Sequence, residues 1–136
     1  MIGAGARYFA IVFAIAFAAG AVRTIWVAPA VGATAAVLIE LPIILAVSFF
    51  AARHIVARGL IRARSAALGA GAVAFALLMA AEVGLATLMS GQAIDIWFAS
   101  LWRVPGIIGL GGQIMFGLMP ALLFTPNGGK ARSPLP

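Results

Sequence analysis

The sequence predicts an all-α integral membrane protein, a four-transmembrane-helix bundle with both termini on the cytoplasmic side. Three observations predict it. Of the 136 residues, 65% are apolar and only 9% charged, whereas a soluble domain carries about 25% charged residues. Nine Lys/Arg, three Asp/Glu and one His are too few to cover the surface of a water-soluble chain this small. Four apolar runs each approach the roughly 20 residues that cross a bilayer, and basic residues gather at their ends.

The first run, about 8–28, is interrupted only by Arg23, and Pro29 and Gly32 mark the turn after it. Arg7, the apolar stretch and Ala16-Phe17-Ala18 imitate the three regions of a signal peptide. The apolar run continues past that cleavage pattern, so it reads as a span. The second run, about 33–52, holds Glu40 and Pro42. After it, "RHIVARGLIRAR" carries Arg53, His54, Arg58, Arg62 and Arg64. The positive-inside rule assigns this segment to the cytoplasm. The third run, about 65–89, holds Glu82, and the fourth, about 105–124, holds Gln113 and Pro120. Runs of this length read as helices rather than buried strands, and four of them leave no room for a β-barrel pattern.

In the outer loop 91–104, Ile94, Trp97, Phe98, Leu101 and Trp102 recur at helical spacing. They predict a short interfacial helix, with an irregular aromatic anchor as the alternative. Residues 1–124 form a single domain on this reading. The Pro/Gly-rich stretch 125–136 is expected to be a disordered cytoplasmic tail. Seven of the nine basic residues then lie inside: Arg7, Arg53, Arg58, Arg62, Arg64, Lys130 and Arg132. Trp26, Trp97 and Trp102 fall at the outer interface and Tyr8 at the inner one, as an aromatic belt would. The expected location is the bacterial inner membrane.

Each span offers one strongly polar side chain, and all four stand in the outer half. Counted from the outer ends, Arg23, Glu40, Glu82 and Gln113 lie roughly 8–12 Å deep at 1.5 Å per residue. Arg103 stands just above them and can reach down along its stem. An isolated charge at the centre of a bilayer costs about 2.5–3.5 kcal/mol on the lenient insertion scale. These residues are therefore expected to turn inward and pair, Arg23 with Glu40 and Glu82 with Arg103. Gln113 would donate and accept between them, and the partners could exchange.

Helical spacing sets Gly106, Gly109, Gly117 and Pro120 beside Gln113, and Ala16, Ala19 and Gly20 beside Arg23. Small residues let helix backbones approach in lipid. Two further ridges, Ala10/Ala14/Ala18 and Ala66/Ala70/Ala74, could pack within the bundle or between copies. Pro42 frees the carbonyl of Leu38, and Pro120 that of Phe116, and both favour kinks. A kink beside a buried carboxylate suits an ion or proton site. The plainer reading is a bent helix whose glutamate fixes register through an ion pair.

Without cysteine, disulfides and thiolate chemistry are excluded. No phosphate loop, nucleotide fingerprint or Ser-His-Asp set is present, and His54 reads as an interfacial residue. No metal and no cofactor is expected. The net charge of +6 follows helix ends rather than a nucleic-acid footprint. The expected partners are the lipid bilayer, other transmembrane subunits, or further copies of the chain.

One short stretch, "AEVGLATLM" at 81–89, resembles the Ala-Glu-Val-x-Gly-Thr-Thr-Leu-Met segment in the first helix of small multidrug resistance transporters. The match covers about nine residues, needs a gap and falls in the third span. The resemblance implies a proton- and drug-carrying role for Glu82. The loops of that family carry little charge bias, unlike those of this chain.

Two functions are carried forward, with a third behind them. The first is a non-enzymatic membrane protein acting by helix packing, as an accessory or scaffold subunit or as a homo-oligomer. The second is a small proton-coupled transporter or channel in which Glu40 or Glu82 changes protonation. A membrane enzyme comes last, because no nucleophile–base pair can be assembled.

Overall fold

The computed structural model describes residues 2–125, so most of the expected tail, 126–136, lies outside the described residues. Helices make up the fold, with no strand among the described residues. The first span is one continuous rod, Ile2–Val31, composed of α1 (Ile2–Val22), a wide π turn (Arg23–Val27) and α2 (Ala28–Val31). The remaining spans are α3 (Ala33–Ala57), α4 (Arg64–Met89) and α6 (Gly106–Leu123), with the short α5 (Ile94–Ser100) before the last. The four long helices are long and apolar enough to cross a membrane.

The π turn has a local cause. Pro29 cannot donate, and its ring would press on the carbonyl four residues earlier. The Ala28 N–H reaches back five residues to the Arg23 carbonyl instead, which widens the turn. The rod ends at Gly32, whose φ of 90° breaks the helix sharply before α3. At the far end of α3 the chain closes in a Schellman motif around Gly59 (φ 70°). Leu60 N–H donates to Ile55 O at 3.3 Å and Gly59 N–H to Val56 O at 3.1 Å.

Around the bundle, α1 packs on α3 and α4, and α6 packs on the same two helices. The consecutive helices α3 and α4 therefore stand on one diagonal. Loop 58–63 crosses beneath the bundle to join them, and it inserts Ile61, only 4% exposed, into the core. That core is gathered at the end bearing the basic loop: Ala4, Tyr8 and Val12 meet Ala51, Ile55, Ala70, Ala74 and Phe116. Small residues set the approach. A Cβ on Gly5 would stand 2.6 Å from the Ala70 carbonyl oxygen, and one on Gly71 would overlap the Gly117 carbonyl.

Tyr8 corrects the aromatic-belt expectation. The first helix starts at Ile2, which places Tyr8 roughly 9 Å inside it at 1.5 Å per residue. It is fully buried. Its ring stacks on Phe116 with centroids 4.6 Å apart, and its hydroxyl donates to the Phe116 carbonyl at 2.6 Å. Pro120, four residues on, cannot donate to that carbonyl. The tyrosine satisfies the acceptor that the proline leaves open, and the contact ties α1 to α6 across the second diagonal.

Candidate functional site

Toward the other end the helices enclose an open cavity of about 700 Å³. Val12, Ile44, Leu78 and Phe116 line its deep part, next to the packed core. Its walls come from all four spans, and Trp97 of α5 stands among them. The polar side chains that the sequence places at one depth do meet here. Arg23, Glu40, Glu82 and Gln113 all line this cavity.

Arg23 and Glu40 form an ion pair through Nε and Oε2, with side chains 33% and 18% exposed. Gly20 flanks the pair: a Cβ there would be in ordinary van der Waals contact with it, 3.8 Å from an Arg23 guanidinium nitrogen and 4.0 Å from Glu40 Oε1. Gln113 Nε2 donates to Glu82 Oε1 at 2.6 Å. The second polar atom of the amide, Oε1, is buried without a hydrogen-bond partner. The ion pair and the Glu82–Gln113 hydrogen bond thus face the same cavity from all four spans.

Arg103 does not join them. It is exposed and lines a separate surface hollow with Ser100, Val104 and Gly106. The expected Glu82–Arg103 pair is thus replaced by Glu82–Gln113. The reason lies in the chain entering α6: Gly106 sits so close under the Ser100 carbonyl that a Cβ would overlap it. This tight turn carries Arg103 to the surface, outside the cavity wall.

Pro42 sits in a helix that continues through it. Pro42 and Leu38 are exposed, whereas Val37, Glu40, Leu41 and Ile44 line the cavity. The carbonyl freed by Pro42 therefore belongs to the outer face of α3, away from Glu40. Arg53, His54, Arg58, Arg62 and Arg64 are all exposed at the tightly packed end. Trp26 and Trp102 are exposed at the opposite end, while Trp97 turns partly into the cavity. Of the two alanine ridges, Ala70 and Ala74 are buried between helices and Ala10, Ala14 and Ala18 face outward. Among the described residues no group of three His, Cys, Asp or Glu could hold a metal ion.

No protein-family model, curated protein or solved structure matches the chain. The cavity therefore carries the functional argument by itself. It combines a neutral ion pair, a carboxylate whose hydrogen-bond partner is an uncharged amide, and apolar walls.

Proposed function

We propose that this chain is a small proton-coupled solute carrier whose binding site is the cavity around Glu82. One observation supports this above the packing role: an apolar-walled cavity of about 700 Å³ that holds Arg23, Glu40, Glu82 and Gln113 interrupts the bundle. A scaffold acting by packing alone has no need of such a space, since protein interiors are otherwise close-packed. Its volume falls in the range of sites for drug-sized ligands, about 300–1,000 Å³. Three ionisable groups bear on the site: Arg23 from the first span, Glu40 from α3 and Glu82 from α4. Arg23 and Glu40 cancel each other, so Glu82 is the group free to exchange a proton. The basic loop supports an orientation with both termini cytoplasmic and the cavity facing outward, in a bacterial inner membrane.

Purified protein in liposomes under a pH gradient tests this. Proton flux above background in the wild type and its loss in Glu82→Gln is the expected result. Background flux in both, with no solute uptake, overturns the reading.

A second reading rests on a separate observation, the outward ridge Ala10/Ala14/Ala18. Such a ridge fits a role as an accessory subunit or homo-oligomer. Purification in mild detergent, with identification of any stoichiometric partner chain, supports or removes it.

A further inference from the structure

We infer that the cavity opens sideways into the bilayer, through a slot between the first span and α4, and takes an uncharged single-chain amphiphile. This inference rests on the carrier reading and names its route of entry and its substrate class.

The exposed part of the cavity wall locates the slot. Every lining residue contributed by α3, α5 and α6 is buried or half-buried. The exposed ones are Phe17, Ala21, Thr24 and Ile25 on the first span and Met89 and Ser90 on α4. Packing agrees with this. The first span meets α4 through α1, whereas the π turn and α2 lean on α3. The two walls therefore part beyond the close approach of Gly5 to Ala70.

Depth decides what the slot faces. At 1.5 Å per residue, Ile25 and Phe17 stand roughly 9 and 21 Å below the end of the rod at Val31. A hydrocarbon core about 30 Å thick covers that interval when the rod spans the bilayer. The rim is mostly apolar: Phe17, Ile25 and Met89 are 50%, 60% and 73% exposed. Such a rim meets acyl chains, and hydrocarbon around it penalises a charged entrant.

The interior suits the same kind of guest. Arg23 and Glu40 are engaged with each other, and Glu82 accepts from Gln113. Gln113 Oε1 is buried without a partner. An amide oxygen only accepts, so the matching head carries an O–H or N–H. Leu41, Leu78 and Leu85 on the walls offer apolar surface to a hydrocarbon chain.

The test is photolabelling of the full chain in liposomes. The probe is a 1-monoacylglycerol with a diazirine in its chain, and mass spectrometry maps the labelled residues. Saturable labelling of the half-buried walls at Leu41 and Leu85, suppressed by excess unlabelled monoacylglycerol, is the expected result. Ala21→Trp, at the rim of the slot, should suppress this wall labelling. Ala18→Trp, exposed but off the cavity, should not. Gln113→Leu should raise the concentration for half-maximal labelling about fivefold. Labelling confined to outward-facing residues and without saturation overturns the amphiphile assignment, while proton flux above background keeps the carrier reading. Undiminished wall labelling in Ala21→Trp overturns the lateral route. An unchanged concentration in Gln113→Leu overturns the head assignment. Equal or tighter wall labelling by the same chain bearing a trimethylammonium or a sulfonate overturns the choice of an uncharged guest. Saturable wall labelling with flux at background overturns the carrier reading and leaves an amphiphile site.

Discussion

Tyr8→Phe is a sharp test of how the closed end of the bundle is held. The substitution keeps the ring that stacks on Phe116 at 4.6 Å and removes only the hydroxyl that donates to the Phe116 carbonyl at 2.6 Å. Tyr8 is fully buried and Phe116 is only 2% exposed, so water offers little replacement. Leaving a buried acceptor unsatisfied costs about 1–3 kcal/mol. Interhelical hydrogen bonds in membrane proteins run lower, about 0.6 kcal/mol on average and up to about 1.7. A loss of about 1–2 kcal/mol is therefore expected.

The informative step is the second substitution. Pro120→Ala returns a backbone N–H to position 120, where it can donate to the Phe116 carbonyl by the ordinary helical bond. In that background the carbonyl no longer depends on Tyr8, and Tyr8→Phe should cost about 0.5 kcal/mol or less. Equilibrium unfolding of the four proteins in mixed micelles, followed by tryptophan fluorescence, gives the coupling. A value near 1 kcal/mol supports the reasoning. Additivity within about 0.5 kcal/mol, the range of independent sites, refutes it.

Three other outcomes are expected from the same assay. Gly71→Ala should destabilise by about 1–3 kcal/mol, because its Cβ would overlap the Gly117 carbonyl; Gly111→Ala meets open space and should change stability by less than about 0.5 kcal/mol. Arg23→Met leaves Glu40 without its partner. A fully buried pair would lose about 3–5 kcal/mol, but Arg23 is one-third exposed, so about 1–3 kcal/mol is expected after screening. The double variant Arg23→Met/Glu40→Met should recover most of that loss, and failure to recover would deny the pair its structural role. Arg103→Ala should leave stability unchanged within about 0.5 kcal/mol, because its side chain is exposed outside the cavity.

Depth along a helix was readable in the sequence, and direction around it was readable only in part. Arg23, Glu40, Glu82 and Gln113 share a level because span ends can be counted. They share a cavity because apolar surroundings drive polar side chains together. Arg103 has a suitable depth, but the turn of Gly106 under Ser100 sets its direction, and nothing in hydropathy encodes that turn. The two halves of the Tyr8 contact were both visible: a tyrosine near the start of the first span, and a proline that opens the Phe116 carbonyl. Joining them needs the knowledge that α1 and α6 meet across a diagonal, which follows from α3 and α4 being held apart. Pro29 reads as the end of a helix, yet the chain absorbs it by widening one turn.

The cavity follows from a gradient in side-chain size along one face of α4. At the basic end this face carries Ala67, Ala70, Gly71 and Ala74, all buried. Farther along, the same face carries Leu78, Glu82, Leu85 and Met89, which line the cavity. Small residues draw α1 and α6 onto α4 at one end, and larger ones hold them off at the other. Filling the resulting wedge would require bulk from the facing helices. There the chain places Ala16 and Gly20 on α1 and Gly109 on α6, and a Cβ on Gly109 would meet open space. Spacers on one wall, faced by Ala16, Gly20 and Gly109 between bulkier neighbours such as Phe17 and Phe116, leave a space that close packing would otherwise close. Arg23, Glu40, Glu82 and Gln113, one from each span, line that space, and this coincidence ties the helix-packing pattern to the solute binding proposed above.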